Sequence, residues 1–478
     1  MWAAFPRGEW VDLRVGDSKI DDPRNGHEWG PERVVRAEVI AALLLGTLDA
    51  EPGKIAALRL RGARIVGQLD VSSGRIGMTM HLTACRLEEP PQFSCATVER
   101  IWLFACDLDG FGGRLLRVEG DVSLEASRVR GCVLLNHSQI SGSLHLDGCR
   151  MSNPGQLALW GGGMTVGGGL FGRHGFTADG GVRLIGARIE GGLFLDGANL
   201  SNPGDVALCL DDITAPTVVC AKGFTAHGEV QLREARIRSL VNFDDATLQA
   251  SESALQCQGL QAGELRLTPR KVDGLADLGL AQLGILRDDP SAWPERLGLD
   301  GLTYEHLRSS QGAANAAARL AWLKRDITAY RPQPYEELAA FYRRIGHDDD
   351  ARRVLLAKQR ARSTTLRPYA RAWAYLLDWT VGHGYRPWLA GLWLLVLLAV
   401  GTAAFAAHQP RAMNPGQDPH FNPLIYTLDL LLPISPFGMR NTFIPTGSSQ
   451  WLAYALIAAG WILATTLVAG IIRILRRD

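Results

Sequence analysis

An apolar pair with one residue between its members recurs about every eleven residues, and this constrains the fold more than any other feature of the chain. Leu58/Leu60, Leu69/Val71 and Met80/Leu82 open three successive units. Val122/Leu124, Val133/Leu135 and Leu144/Leu146 open three more, and Val182/Leu184 with Leu193/Leu195 another two. Five residues beyond each pair stands a further apolar residue, as at Ile65, Ile76, Leu87, Val129 and Ile140. The unit reads roughly L-x-L-x-G-A-x-I-x-G. So short a unit cannot enclose a core by itself. It buries its apolar face against its neighbours, and the result is a solenoid. Alternation within each pair has the period of a strand, with the apolar side chains inward. Two units per turn give coils of roughly 22–25 residues stacked about 4.8 Å apart. The expected fold class is therefore mainly β, a parallel β-helix.

A longer register runs through the same stretch. LDGCRMSNPG at 146–155 matches LDGANLSNPG at 195–204, and FDDATLQASE echoes both from 243. One edge of the coil thus carries a longer turn, marked by Ser-Asn-Pro-Gly, about every four units. Ahead of the repeats, 31–46 reads as a capping helix. Pro31 suits its first position and Gly46 the position past its end. The expected organisation is an N-terminal segment and capping helix over 1–50 and the solenoid over 51–304. Residues 305–387 turn to helical periodicity and end in a basic juxtamembrane helix. Within them Tyr335, Leu338, Ala339, Tyr342, Gly346, Ala351 and Leu355 fall where a tetratricopeptide unit places its packing residues. A single such unit reads as a helical hairpin capping the solenoid, since arrays need at least three repeats.

Two runs lack any charge: 388–407, of 20 residues, and 451–472, of 22. Each is long enough to cross the roughly 30 Å hydrocarbon core of a bilayer. The expectation is transmembrane helices over 388–408 and 451–472, an extracytoplasmic loop over 409–450 and a basic cytoplasmic tail over 473–478. Basic residues crowd the flanks: Arg360, Arg362, Arg367, Arg371 and Arg386 before the first run, and Arg473, Arg476 and Arg477 after the second. The positive-inside rule then places both termini and the solenoid in the cytoplasm at the plasma membrane. The same cations suit anionic lipid headgroups. Residues 1–30 are charged, with no signal-peptide core. In the loop, 424–434 is too short to span and reads as an interfacial or re-entrant segment carrying Asp429.

A net charge of +1 gives no basis for nucleic-acid binding. The 8 cysteines form no C-x-x-C. Cys95 with Cys106 and Cys209 with Cys220 lie eleven apart, so they are expected as free thiols stacked inside the solenoid. The repeat spacing resembles that of pentapeptide-repeat and other parallel β-helix proteins, although it departs from a strict five-residue rule. The chain as a whole, with its SNPG insertions, the run PYEELAAFYRRIGHDDDARRVLLAKQ and the apolar tail, resembles a family of actinobacterial membrane proteins often labelled membrane-associated oxidoreductases. The resemblance implies a redox activity, and the residues supply no redox motif for it.

The remaining motifs favour structure over chemistry. Gly167-Gly-Gly169-Leu-Phe-Gly172 matches G-x-G-x-x-G, but no helix follows to receive a pyrophosphate. These glycines read as solenoid corners. Asp147 and Asp196 occupy equivalent places 49 residues apart, about 9–10 Å across two coils. That separation is near the one inverting glycosidases use, yet repeated Asp also marks turns. No catalytic, cofactor-binding or metal-ligating residue is assigned. The expected function is a membrane-tethered cytosolic scaffold that meets a protein partner or its own copies. An oxidoreductase and a two-span channel or transport accessory are the alternatives, the latter with Asp429 as its candidate residue.

Overall fold

Each eleven-residue unit forms one side of a coil, and two units close the turn. The computed structural model describes residues 1–289, 292–309, 316–327, 330–364, 387–413 and 420–475, with side chains described except at 363–364, 387–390, 448 and 466–475. Leu58 pairs in parallel with Met80, and Val122 with Leu144, one coil of 22 residues further on. Repetition of this step stacks the described residues into parallel sheets of 17 and 14 strands. The parallel β-helix expected from the spacing is the observed fold.

The corners explain the middle of the repeat. The chain leaves one sheet for the other through a single residue in the left-handed region, among them Ala84, Cys95, Ala105, Leu115, Ala126, Gly148, Gly186 and Gly197. Glycine takes this conformation at no steric cost, whereas other residues are strained by about 1–2 kcal/mol. The next side chain turns inward at the bend; at some corners it is large, as at Leu116, Met164 and Ile213, and at many it is small. Cys85, Ala96, Cys106, Ser127, Cys149, Ala187 and Ala198 hold these positions, each at most 1% exposed. The G-A step of the repeat is thus a left-handed corner followed by a small inward residue. The L-x-L pairs form the long columns of the core, with Leu60, Leu82, Leu103, Leu124 and Leu146 wholly buried. Each such leucine contributes about 1.5–3 kcal/mol through removal from water.

The N-terminal end of the stack departs from expectation. The single helix expected over 31–46 is three elements. Pro31–Arg33 is one 3-10 turn, Val34–Arg36 is a strand paired with Arg64–Val66, and α1 spans only Ala37–Leu44. The two valines suit a strand and join the sheet, so the stack starts before residue 51. At the other end Thr303–Ser309 forms a further rung. A column of inward apolar residues then stops at a carboxylate, for Asp288 lies in register with Leu267. Helix α2, Ala316–Leu323, brings Arg319 to it with bonds of 2.5 and 2.6 Å, and Trp293 Nε1 donates a third at 2.7 Å. Arg319 and Asp288 are completely buried.

The chain divides into two compact units, Met1–Glu337 and Leu338–Asp478. The expected helical hairpin is present, and the division falls inside its first helix. Helix α3, Pro332–Arg344, and helix α4, Asp348–Thr364, are joined through Gly346 at φ +79°. Leu338, Ala339, Tyr342, Ala351 and Leu355 are buried, as the tetratricopeptide-like spacing requires. Helix α5 is Pro387–Ala407, α6 is Pro423–Leu431 and α7 is Ser448–Leu475. They share a core of Phe405, Tyr426, Leu430, Phe443, Ala453 and Leu456. A Cβ on Gly460 would lie 2.1 Å from the Leu431 carbonyl oxygen, so this glycine lets α6 and α7 meet at their backbones. Among the described residues no helix is long and apolar enough to cross a membrane. Side chains are described over 391–407 of α5 and 449–465 of α7.

Candidate functional site

The 14-stranded sheet carries protruding loops on alternate rungs. The strands Arg150–Trp160, Asn199–Cys209 and Thr247–Gln256 are long because each contains an outward bulge, at 153–156, 202–205 and 250–252. Asn153 Nδ2 donates to the Leu157 carbonyl and Asn202 Nδ2 to that of Val206, at 2.7 and 2.9 Å. The Asn-Pro-Gly of the sequence motif thus builds a side-chain-closed bulge. The rungs between have no room for one. There Gly180, Gly228 and Gly274 adopt φ values of +121°, +128° and +126°. A Cβ on Gly180 would lie 2.6 Å from the Asn153 carbonyl oxygen, and one on Gly228 the same distance from that of Asn202. The 49-residue register therefore has a two-coil basis, in which bulged and glycine rungs alternate.

Ridges on every second rung leave furrows between them. Among them is a cleft of about 710 Å³ bounded by Pro203 and Gly204 on one ridge, Ala250 and Ser251 on the next, and Glu295 and Arg296 beyond. Its floor is a lateral row, one residue per rung: Ser201, His227, Gln249 and Asp273 stand in register. Asp179 and Ser152 continue the row. Asp273 accepts from Lys271 Nζ at 3.0 Å. Among the described residues no hydrogen bond joins Ser201 to His227, and His227 lies two rungs from Asp273. The row supplies donors and acceptors at strand spacing, without a relay connecting nucleophile to base.

The motifs singled out by the sequence lie elsewhere. Asp147 and Asp196 do sit two rungs apart, but Arg173 stands on the rung between them. Asp147 accepts from the Arg173 backbone N–H at 2.7 Å and from its guanidinium at 2.9 Å. The side chain bonds and charge of Arg173 outweigh burial and hold this carboxyl below its ordinary range. The pair is a corner ladder, repeated where Asp211 accepts from Arg233. Gly167, Gly168 and Gly169 are in the middle of a coil side, between the strands Thr165–Val166 and Leu170–Phe171, not at a corner. A Cβ on Gly167 would lie 2.3 Å from the Ser141 carbonyl oxygen, so these glycines admit the neighbouring rung.

The cysteines do not form one interior stack: Cys85, Cys106 and Cys149 follow corners, while Cys220 and Cys257 stand in the apolar pairs. Cys106, Cys209 and Cys220 are buried as expected, whereas Cys95 is itself a left-handed corner residue and is exposed. Burial pushes the Cys149 thiol up to about 12 and that of the half-buried Cys132 to about 11. Among the described residues no group of three or more His, Cys, Asp or Glu could hold a metal ion.

Asp429 is completely buried and fully engaged. It accepts from Ser435 Oγ at 2.6 Å and from the backbone N–H groups of Arg440 and Phe437 at 2.9 and 3.1 Å. It fastens the chain after α6 to the turn Met439–Thr442, which is a structural task. Segment 424–434 is helical to Leu431, with Asn422 as its cap, bonding the backbone N–H groups of Leu424 and Ile425. Of the expected lipid-facing cations, Arg360 and Arg362 are exposed on α4. Arg473 lies on α7, its side chain outside the described residues, and Arg367, Arg371, Arg386, Arg476 and Arg477 lie outside them altogether.

Sequence reasoning found the ridges as longer turns and missed the cleft. The signal was present as a second motif in the intervening coils: Asp179-Gly180, His227-Gly228 and Asp273-Gly274. No protein-family model, curated protein or solved structure matches the chain.

Proposed function

We propose that this protein is a non-enzymatic scaffold, tethered to the plasma membrane by its C-terminal hairpin, whose cytosolic solenoid engages a protein partner along its ridged side. The observation that carries the reading is the regular alternation of bulged and glycine rungs. A stack that served only to be stable would gain nothing from bulges, because each one breaks the ladder locally. Repeated at one register on one sheet, the bulges make a long corrugated surface on a rigid base, the form repeat proteins use for binding. The tether rests on the two uncharged runs of 20 and 22 residues. It is supported by the outward apolar side chains of α5 and α7, where Leu395 and Trp451 are 64% and 77% exposed. The basic flanks favour cytoplasmic termini and contact with anionic lipid.

Site-specific photo-crosslinking in cells tests the scaffold. A crosslinker at Ser251, on a ridge, is expected to give one discrete adduct. The same group at Arg188, exposed on the other sheet, is expected to give none. Equal labelling from both positions, or none from either, would overturn the proposal.

A further inference from the structure

Helix α6 is too short to cross a bilayer, yet it packs far down the two helices that carry the uncharged runs. The pairing of Arg411–Ala412 with Phe443–Ile444 brings the ends of those runs at 407 and 451 to one side. The Leu431 carbonyl, at the C-terminal end of α6, lies against the backbone of Gly460. Gly460 stands nine residues into the run 451–472, about 13–14 Å along α7. Thr427, one turn earlier in α6, lies against Gly401. Gly401 is six residues from the end of the run 388–407, about 9 Å along α5. Both contacts have α6 descending between the two helices. Where the runs cross the roughly 30 Å hydrocarbon core, Leu431 is near its midplane.

From Leu432 to Gly438 the chain turns back without regular structure. Asp429 fixes this return by accepting from Ser435 Oγ and from the amides of Phe437 and Arg440. Its acceptors are not provided for in the same way. Among the described residues no hydrogen bond reaches the carbonyl oxygens of residues 432–437. Ile434 and Phe437 are 81% and 53% exposed. Irregular backbone at membrane depth is stable only when buried in protein or facing a water-filled cavity. The apolar side chains of Ile434 and Phe437 favour protein. Arg440 supplies the missing donor, for its guanidinium forms no hydrogen bond or ion pair among the described residues. An arginine inside a bilayer takes backbone carbonyls as acceptors. One short stretch thus carries both the unbonded carbonyls and the free donor, and a single chain does not join them.

We infer that the hairpin assembles with further copies of this chain, the return 432–438 of one packing against that of the next. Ile434 and Phe437 are covered at this contact, and Arg440 donates to carbonyl oxygens of the neighbouring copy. The inference rests on the membrane tether proposed above and adds a second copy of the chain as its partner within the bilayer.

The test uses the full-length chain, co-expressed with two different affinity tags and kept in its native membranes. The photo-crosslinker p-benzoylphenylalanine at Ile434 is expected to give an adduct of two chains that carries both tags. Arg440→Met is expected to keep the wild-type circular dichroism and lower the adduct yield about tenfold, the effect of one charge-assisted hydrogen bond. Arg440→Lys, which keeps a donor, is expected to restore part of it. A chain that resists carbonate extraction but gives no doubly tagged adduct would overturn the inference and leave the tether standing. An adduct yield unchanged in Arg440→Met would do the same. So would ready labelling of Ile434→Cys, in a Cys95→Ser background, by a membrane-impermeant maleimide, because the segment would then face water. Release of the chain by carbonate would remove the tether and the depth of α6 with it.

Discussion

At the scale of single residues, backbone conformation decides more than side-chain chemistry. Gly180 and Ala126 make the contrast. Gly180 has φ +121° with carbonyl oxygens 2.6 and 2.9 Å from where a Cβ would stand. That conformation is essentially restricted to glycine. Gly180→Ala is therefore expected to lower stability by about 1–3 kcal/mol. Ala126 sits at a corner with φ +55° and is exposed. Ala126→Gly relieves strain there while loosening the unfolded chain, so it is expected to lie within about 1 kcal/mol of wild type. Denaturant unfolding of the two variants checks the pair. A Gly180→Ala protein as stable as wild type would show that the bulge does not press on that rung.

His81 adds a pH dependence. It lies between Trp10 and Trp102, with ring centroids 4.6 and 5.1 Å away. Burial pushes its imidazole down to about 4, and the cations of Arg61 and Arg59 push in the same direction. In the unfolded chain it titrates near 6.5. Between those values the unfolded state binds the extra proton, so stability falls as pH drops from about 6.5 towards 4. His81→Phe, which keeps a ring in the stack, is expected to flatten the slope of melting temperature against pH in that interval. An unchanged slope would place the sensitivity elsewhere.

At the scale of elements, the solenoid is stopped by a buried ion pair. Asp288 points into a column that is otherwise apolar, and Arg319 of α2, with a further bond from Trp293 Nε1, makes its burial tolerable. Removing one partner of such a pair costs about 3–5 kcal/mol, whereas replacing both with apolar groups can be neutral. Arg319→Met is expected to destabilise the protein by that amount, and Asp288→Leu with Arg319→Met to recover most of it. Chemical denaturation measures both, and equal losses in the single and double variants would contradict the account.

This scale also shows what could be read from the sequence. The apolar pairs and the G-A step specify coils and corners because they are local and repeat. The cap at Asp288 was not legible, since the carboxylate and its arginine lie 31 residues apart with no motif between them. The entry helix was overread, because Val34 and Val35 fit a helical stripe as well as the strand they form. The cleft was half legible. The SNPG ridges stood out, but only stacking reveals that Gly228 falls opposite them. Asp429 looked like a functional loop carboxylate because its amide and hydroxyl partners are six to eleven residues downstream.

For the molecule as a whole, the proposal joins a ridged solenoid to a membrane hairpin and assigns the solenoid to the cytoplasm. Cys95 provides a native probe of that arrangement, because it is exposed on a corner while most of the other thiols are buried. The decisive measurement is labelling of Cys95 by a membrane-impermeant maleimide in vesicles of the two orientations, with Cys95→Ser as control. The account predicts that the protein stays with membranes through carbonate extraction and that Cys95 is labelled rapidly in inside-out vesicles and not in right-side-out ones. Release into the carbonate supernatant, or labelling of Cys95 from the outer side, would contradict it.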